Sequence, residues 1–359
     1  MKAAVVREYN APVSVEDVDI DTPAPREVVV RTEAAGICHS DVSGVDGTVD
    51  LFPLPMVLGH ESAGVVEAVG AEVTYVKPGD HVVVTLGSFC GHCEFCLTGR
   101  AQLCAKTGIF RRSDEKPRLS QGGRALTPYA GLGSFAEQVL VHENSVARIP
   151  VDMPFDRAAL LGCGITTGLG AVINTAKVSF GASVAVIGCG GVGLSVIQGA
   201  TLRGASRIIA IEPSPARRDL ARQFGATDVI DPSAGDVAVQ VRDLLGDGVD
   251  YSFEVVGRKE TCELAMSVLR RGGLAVVVGV VFGVPIEISG TMLMMECGIR
   301  GSGGGSSVWR LDVPRYAELY MQGRLKLDEL VTRHISLHDV NSGLDDVRSA
   351  VGARSVITF

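Results

Sequence analysis

Four cysteines, Cys90, Cys93, Cys96 and Cys104, fall within 15 residues in the pattern C-x2-C-x2-C-x7-C. Four thiolates so close in sequence can close one tetrahedral shell, which is the pattern of a structural zinc site. The intervening Gly91-His92 and Glu94-Phe95 form no core of their own, so metal binding would supply the folding energy of this lobe. An iron–sulfur cluster is the rival reading, but no Pro follows the fourth Cys and the last spacing differs. His92 is read as solvated rather than as a ligand.

A second set is dispersed. Cys38 lies in Gly36-Ile37-Cys38-His39-Ser40-Asp41, His60 in Gly59-His60-Glu61, and Cys163 in Gly162-Cys163-Gly164. Taken singly, each has a plain explanation as a buried core residue. Together they offer two thiolates and one imidazole and leave a fourth position open for substrate, as a catalytic zinc requires.

A third signal is Gly188-Cys189-Gly190-Gly191-Val192-Gly193, which fits G-x-G-x-x-G. It follows an apolar run and opens a helical one, the context in which this motif binds a dinucleotide. Gly188 permits the tight turn, Gly190 the approach to the pyrophosphate, and Gly193 close helix–strand packing. The helix N-terminus carries partial positive charge toward the phosphates. Glu212 follows 19 residues after Gly193. A carboxylate there accepts from the adenosine ribose and repels a 2′-phosphate, so NAD is expected over NADP. Arg217 and Arg218 oppose that preference, since either could pair with a phosphate.

These groups must be held by two kinds of framework. The first 150 residues are strand-rich, with β-branched segments at 27–32, 61–69 and 81–85 bounded by Pro, Gly and Asp. Residues 111–133 are charged, rich in Gly and Pro, and read as a long surface loop. After about residue 165, strands at 183–188, 207–212, 249–255 and 274–279 alternate with helices at 191–203, 215–224 and 260–270. That alternation predicts a doubly wound parallel sheet. The tail carries helical stretches at 313–321 and 338–351 and a strand at 355–359.

A chain of 359 residues suggests two domains, and 46% apolar with 21% charged residues is a globular composition. The net charge of −8 and the lack of a basic stripe argue against nucleic acid and anionic membranes as partners. The start, MKAAVVREYN, has no long apolar segment, so a cytoplasmic protein with reduced thiols is expected. Residues 178–202 carry no charge, but their glycines point to a strand, a turn and a buried helix rather than a membrane span.

With GICHSD, GHE, the four-Cys lobe, the later Cys, GCGGVG with its acid, and an Arg near the C-terminus, the chain resembles the zinc-containing medium-chain alcohol dehydrogenases over its full length. The resemblance implies an α/β protein with a GroES-like, β-rich catalytic domain at 1–164, to which 304–359 return. A Rossmann NAD-binding domain would occupy 165–303. It implies two zinc ions per chain, with Cys38, His60 and Cys163 at the catalytic one. Asp41 would hydrogen-bond His60, and Glu61 would approach the metal during ligand exchange. His39 and Arg354 would contact the pyrophosphate, and Thr167 would pack near the nicotinamide. Ser40 would accept the alcohol's proton as hydride passes to NAD.

Two departures stand out. Relatives end their proton relay in a His where this chain has Ser43, so water or His39 must serve. Leu86 replaces an aromatic residue, and Ala130 and Gly303 fall near pocket positions, which suggests a wide pocket for bulky or aromatic alcohols. The alternative is a thiol-adduct (S-hydroxymethyl thiol) formaldehyde dehydrogenase. That branch anchors the adduct's carboxylate on an Arg where this chain has Gly108, with Arg111 and Arg112 close by. A catalytically silent crystallin-like or sensor protein on this fold would be expected to lose zinc ligands, and all are present. A homodimer acting on a small-molecule alcohol or carbonyl compound is the expected assembly.

Overall fold

A ten-residue strand of small and β-branched residues, Glu27–Gly36, organises the first unit of the chain. It lies inside a seven-stranded sheet, between Ser62–Val69 and the returning chain end Arg354–Thr358. Gln138–His142 also pairs with its first half. Register shifts between Val29 and Val30 and between Thr32 and Ala34 mark bulges in its pairing with Ser62–Val69. Its inward valines, Val28 and Val30, pack with Val66, Val82, Val84, Val139 and Val141. Each such burial stabilises by about 1.5–3 kcal/mol.

The computed structural model describes residues 1–105, 108–350 and 352–359. The chain divides into two units, Met1–Cys163 with Val308–Phe359, and Gly164–Ser307. In the first, the tail helices Trp309–Met321 and Val340–Arg348 pack beside the sheet. The former begins a turn earlier than its apolar pattern suggests, with Pro314 inside it. Residue 351, the last of the tail helix expected at 338–351, lies outside the described residues.

Residues 111–133 are not the surface loop that their composition predicts. Leu119–Gln121 and Arg124–Pro128 form a hairpin, with Gly122 and Gly123 both at positive φ in the two-residue turn. Leu119 and Leu126 are buried against Ala3, Val5 and Val57. The apolar alternation is only three residues long on one side, too short to stand out amid the charges.

In the second unit, six strands form one parallel sheet: β1 (Ser183–Ile187), β2 (Arg207–Ile211), β3 (Asp228–Ile230), β4 (Val249–Glu254), β5 (Leu269–Val277) and β6 (Gly298–Gly301). Their order is β3-β2-β1-β4-β5-β6, all parallel. This is the doubly wound nucleotide-binding order, with its switch point between β1 and β4. The helix Gly191–Leu202 follows β1, so the uncharged run at 178–202 is a strand, a turn and a helix. Among the described residues no helix is long and apolar enough to cross a membrane.

Candidate zinc and dinucleotide sites

Sheet register assembles the dispersed set. Ala35 pairs with Ser62, and Gly36 N–H donates to the Glu61 carbonyl at 3.0 Å. On the other side Val356 pairs with Gly36, and Ile37 N–H donates to the Ser355 carbonyl at 3.0 Å. Cys38, His60, Glu61 and Arg354 therefore leave three neighbouring strands at one end of the sheet. Cys163 joins them from the turn after the helix Phe155–Leu160. The ligand atoms of Cys38, His60, Glu61 and Cys163 all lie within 4.8 Å of one another.

The His60 ring is oriented from behind. Its Nδ1 is 2.9 Å from Asp41 Oδ1, while Asp41 Oδ2 accepts from Cys38 N–H at 2.8 Å. His60 Nε2 is buried and, among the described residues, makes no hydrogen bond of ordinary geometry. An imidazole that donates through Nδ1 and keeps Nε2 for a Lewis acid fits a metal ligand. Burial opposes charge on His60, but Asp41 outweighs it and raises the imidazole pKa. A hydrogen bond from the Cys163 thiol, helped by Arg354 and His60, draws Cys38 well below the usual thiol range. The same bond, then burial, pushes Cys163 up. The set thus offers two sulfurs and one imidazole nitrogen within reach of a single ion, the donor types that zinc takes. Burial lifts Glu61 to about 7 against the pull of Arg354.

Ser40 and His39 begin the helix His39–Val45. Ser40 Oγ is 3.9 Å from Cys38 Sγ, whereas the His39 side is exposed. Ser43 Oγ donates to the His39 carbonyl at 3.2 Å. The Arg354 guanidinium, expected from the resemblance at the pyrophosphate, is buried. It donates to the Ile37 carbonyl at 2.9 Å and to Glu61 Oε1 at 3.2 Å. Tyr129, which no motif marks, donates its hydroxyl to the Ser40 carbonyl at 2.5 Å and sets its ring edge to His60.

In the four-Cys lobe, Sγ–Sγ separations are 3.9 Å for Cys90–Cys96, 3.6 Å for Cys93–Cys96 and 3.8 Å for Cys93–Cys104. A tetrahedron with zinc–sulfur bonds of about 2.3 Å has edges of about 3.8 Å, so the thiols fit that ion. Backbone N–H groups of Cys90 and Cys93 point at Cys104 and Cys90 Sγ, at 3.1 and 3.3 Å.

At the end of β1, Gly190 caps the helix that starts at Gly191 and runs through Val192. A Cβ on Gly193 would collide with the Gly188 carbonyl, so the helix can cross the strand end here only with glycine. Glu212 directly follows β2 and is nearly fully buried. Its Oε2 accepts from Cys189 N–H at 2.8 Å and its Oε1 from Ser214 N–H at 3.0 Å. The carboxylate thus braces the glycine turn. Arg218 is occupied by the Glu212 and Pro213 carbonyls, each at 2.7 Å, and by Asp231 at 3.0 Å. Arg217 Nε is buried and finds no hydrogen-bond partner among the described residues. Thr167 lies half-buried on the helix Gly164–Gly170.

The cations near the expected adduct anchor are engaged. Arg111 donates to Glu27, Asp21 and two carbonyls, and Arg112 pairs with Asp114. Leu86 packs against the valine core around Val28 and Val84, and Ala130 against the cluster containing Tyr129.

Residues 24–151 match the model of the alcohol dehydrogenase GroES-like domain, and 191–320 that of the zinc-binding dehydrogenase domain. The chain is 40% identical over 367 residues to an S-(hydroxymethyl)glutathione dehydrogenase of a Synechocystis species, covering 100% of this chain and 99% of that protein. It is similar to an alcohol dehydrogenase zinc-binding domain protein from Burkholderia ambifaria, with TM-score 0.95, 37% identity and coverage of 100% and 98%. It is also similar to a benzyl alcohol dehydrogenase from Acinetobacter calcoaceticus, with TM-score 0.94, 32% identity and coverage of 100% and 99%.

Proposed function

The chain belongs to the zinc-containing medium-chain alcohol dehydrogenase family, and on that premise we propose that it oxidises the S-hydroxymethyl adduct of a thiol with NAD. The observation that carries this reading is the full-length similarity to proteins named S-(hydroxymethyl)glutathione dehydrogenase. The net change is R–S–CH2–OH plus NAD⁺ to R–S–CHO, NADH and a proton.

In this reading Cys38, His60 and Cys163 hold one zinc ion and the four-Cys lobe the other. An ion held at the first set would supply Lewis acidity that lowers the pKa of the substrate hydroxyl. Asp41 keeps His60 in the ligating tautomer. Ser40 Oγ accepts the substrate proton, and the exposed His39 ring, one residue away, passes it to solvent in place of the missing His at position 43. Glu61 and Arg354 balance charge behind the ligands. Glu212 favours NAD, with Thr167 beside the nicotinamide. A homodimer accounts for the apolar surface of Val280, Phe282, Val284, Leu293 and Met294, the last 86% exposed, in the segments before the edge strand β6.

A second reading, oxidation of a bulky or aromatic alcohol, is favoured by the commitment of Arg111 to Glu27 and Asp21, which leaves that cation little to offer a substrate carboxylate. The similarity to a benzyl alcohol dehydrogenase supports it too. The deciding experiment measures kcat/KM from NADH formation with S-hydroxymethylglutathione, the adduct of a small neutral thiol, benzyl alcohol and ethanol. Highest efficiency with the glutathione adduct supports the first reading, and highest efficiency with benzyl alcohol supports the second.

A further inference from the structure

Tyr129 is a wedge between the helix that carries Ser40 and the ring of His60. Its hydroxyl donates to the Ser40 carbonyl at 2.5 Å. Its ring is edge-on to His60, with centroids 5.8 Å apart at 66°, and to Phe52, 5.1 Å apart at 67°. The residue is 3% exposed. The helix His39–Val45 makes room for it with Gly44. A Cβ at that position would stand 2.8 Å from Tyr129 Cε2 and 3.1 Å from Cζ. So the ring lies directly on the helix backbone, and it does so one turn after Ser40.

A buried phenol seeks an acceptor for its hydrogen. Here the acceptor is the main-chain carbonyl of the very residue whose hydroxyl faces Cys38, at 3.9 Å from its sulfur. That carbonyl sits in the first turn of a seven-residue helix, where it already faces the N–H of Gly44, so the phenol engages its second lone pair and ties the short helix to Tyr129. Holding it fixes the Cα–Cβ direction of Ser40. On the other side, Asp41 fixes His60 by a hydrogen bond to Nδ1 but leaves the tilt of the ring free about that bond. The Tyr129 edge supplies the missing restraint.

We propose that Tyr129 is a positioning residue that aligns Ser40 with the substrate hydroxyl through its phenolic hydrogen bond and sets the plane of His60 through its ring. The Ser40 half of this inference rests on the proposed role of Ser40 as proton acceptor. The His60 half rests on ring geometry alone.

Two variants separate the halves. Tyr129→Phe keeps the ring and removes the hydrogen bond. Its kcat should fall about five- to tenfold, the worth of one neutral hydrogen bond. KM should stay within about twofold, since the bond orients a group rather than binding substrate. Its solvent deuterium isotope effect on kcat should rise, because proton transfer to Ser40 becomes slower relative to other steps. Tyr129→Leu removes the edge against His60. With cobalt at the Cys38–His60–Cys163 set, Tyr129→Phe should keep the wild-type visible d–d bands and Tyr129→Leu should shift them. Gly44→Ala, which presses on the ring from the helix side, should shift the bands as well and serves if Tyr129→Leu does not fold. A Tyr129→Phe protein with wild-type kcat and isotope effect overturns the Ser40 half. Unshifted bands in Tyr129→Leu or Gly44→Ala overturn the His60 half. If the wild type oxidises no alcohol, the functional reading fails, while the cobalt bands still decide the Tyr129–His60 relation.

Discussion

His60 Nδ1 lies 2.9 Å from Asp41 Oδ1, with both side chains buried. The pairing fixes the imidazole tautomer, and Asp41 is itself fixed by the Cys38 N–H, so one carboxylate ties the His60 ring to the Cys38 backbone. Asp41→Asn keeps the shape but loses the charge that favours Nδ1–H. Zinc affinity at this set should fall about 10- to 100-fold, as for other carboxylates behind a ligating His. Competition with a chromogenic chelator measures it, and unchanged affinity would show that Asp41 is dispensable.

The two cysteine sets should behave differently when broken. Native mass spectrometry should give two zinc ions per chain, since seven ligands form two separate groups. Cys163→Ala should abolish turnover yet retain NADH binding, because the glycine turn belongs to the other unit. Cys93→Ser should lower soluble yield and melting temperature, since little but the metal closes the lobe. Equal thermal stability of Cys93→Ser and wild type would remove the lobe's structural role.

Much of this was legible because it is local. The four-Cys spacing and the strand–glycine–helix order are continuous in sequence, and the helix Pro215–Phe224 is bounded by Ser214 as N-cap and Gly225 as stop. The dispersed ligands could be named only through resemblance. What unites them is the register of Ala35 with Ser62 and of Gly36 with Val356, a pairing across more than 300 residues that no local pattern encodes. Side-chain partners were least visible. Nothing in the run Arg111-Arg112 tells that the first is committed to Glu27, or that Tyr129 reaches Ser40.

Cofactor preference should follow Glu212, with a complication that its hydrogen bonds impose. Wild type should prefer NAD over NADP, because a 2′-phosphate would meet a buried carboxylate. Glu212→Ser should narrow that preference through Arg217 alone, since Arg218 is held by Asp231. It should also weaken NADH binding, as Cys189 N–H and Ser214 N–H both lose their acceptor. Fluorescence titration with NADH and NADPH reads both effects. A variant that gains NADPH without losing NADH affinity would mean that the bracing bonds are idle.

Acid should destabilise the first unit through His142. Burial, then Arg26, holds this imidazole down to about 4, below the value of about 6.5 in an unfolded chain. Its Nδ1 accepts from Asn144 N–H at 3.0 Å, which the neutral ring alone can do. Between those two values the unfolded chain takes up a proton that the folded one refuses. Stability is therefore full above about 6.5 and falls as pH drops toward 4, by on the order of 2–3 kcal/mol. His142→Asn can keep the acceptor without titrating. Urea midpoints at pH 7, 6, 5 and 4.5 should decline less steeply for the variant, and parallel curves would refute the assignment.

Arg111 offers the sharpest test between a structural and a substrate-binding cation. Its guanidinium reaches Glu27 Oε2 and Asp21 Oδ2, each at 2.5 Å, and its side chain is 12% exposed. Glu27 is shared with the buried Arg118, at 2.7 Å, and also accepts from Ala24 N–H at 2.9 Å. Breaking a buried ion pair usually costs about 3–5 kcal/mol, because one charge is left uncompensated. Here Glu27 keeps Arg118, so Arg111→Met should cost less, about 1–3 kcal/mol in a urea titration. A cation already bonded to two carboxylates has little left for a substrate. The ratio of kcat/KM for S-hydroxymethylglutathione to that for benzyl alcohol should therefore stay within about twofold of wild type. Were Arg111 the anchor of the adduct's carboxylate, losing that charged hydrogen bond would lower the ratio by about 10- to 100-fold. A drop of that size with unchanged stability would reverse the assignment and place the Arg111 side chain in the substrate site.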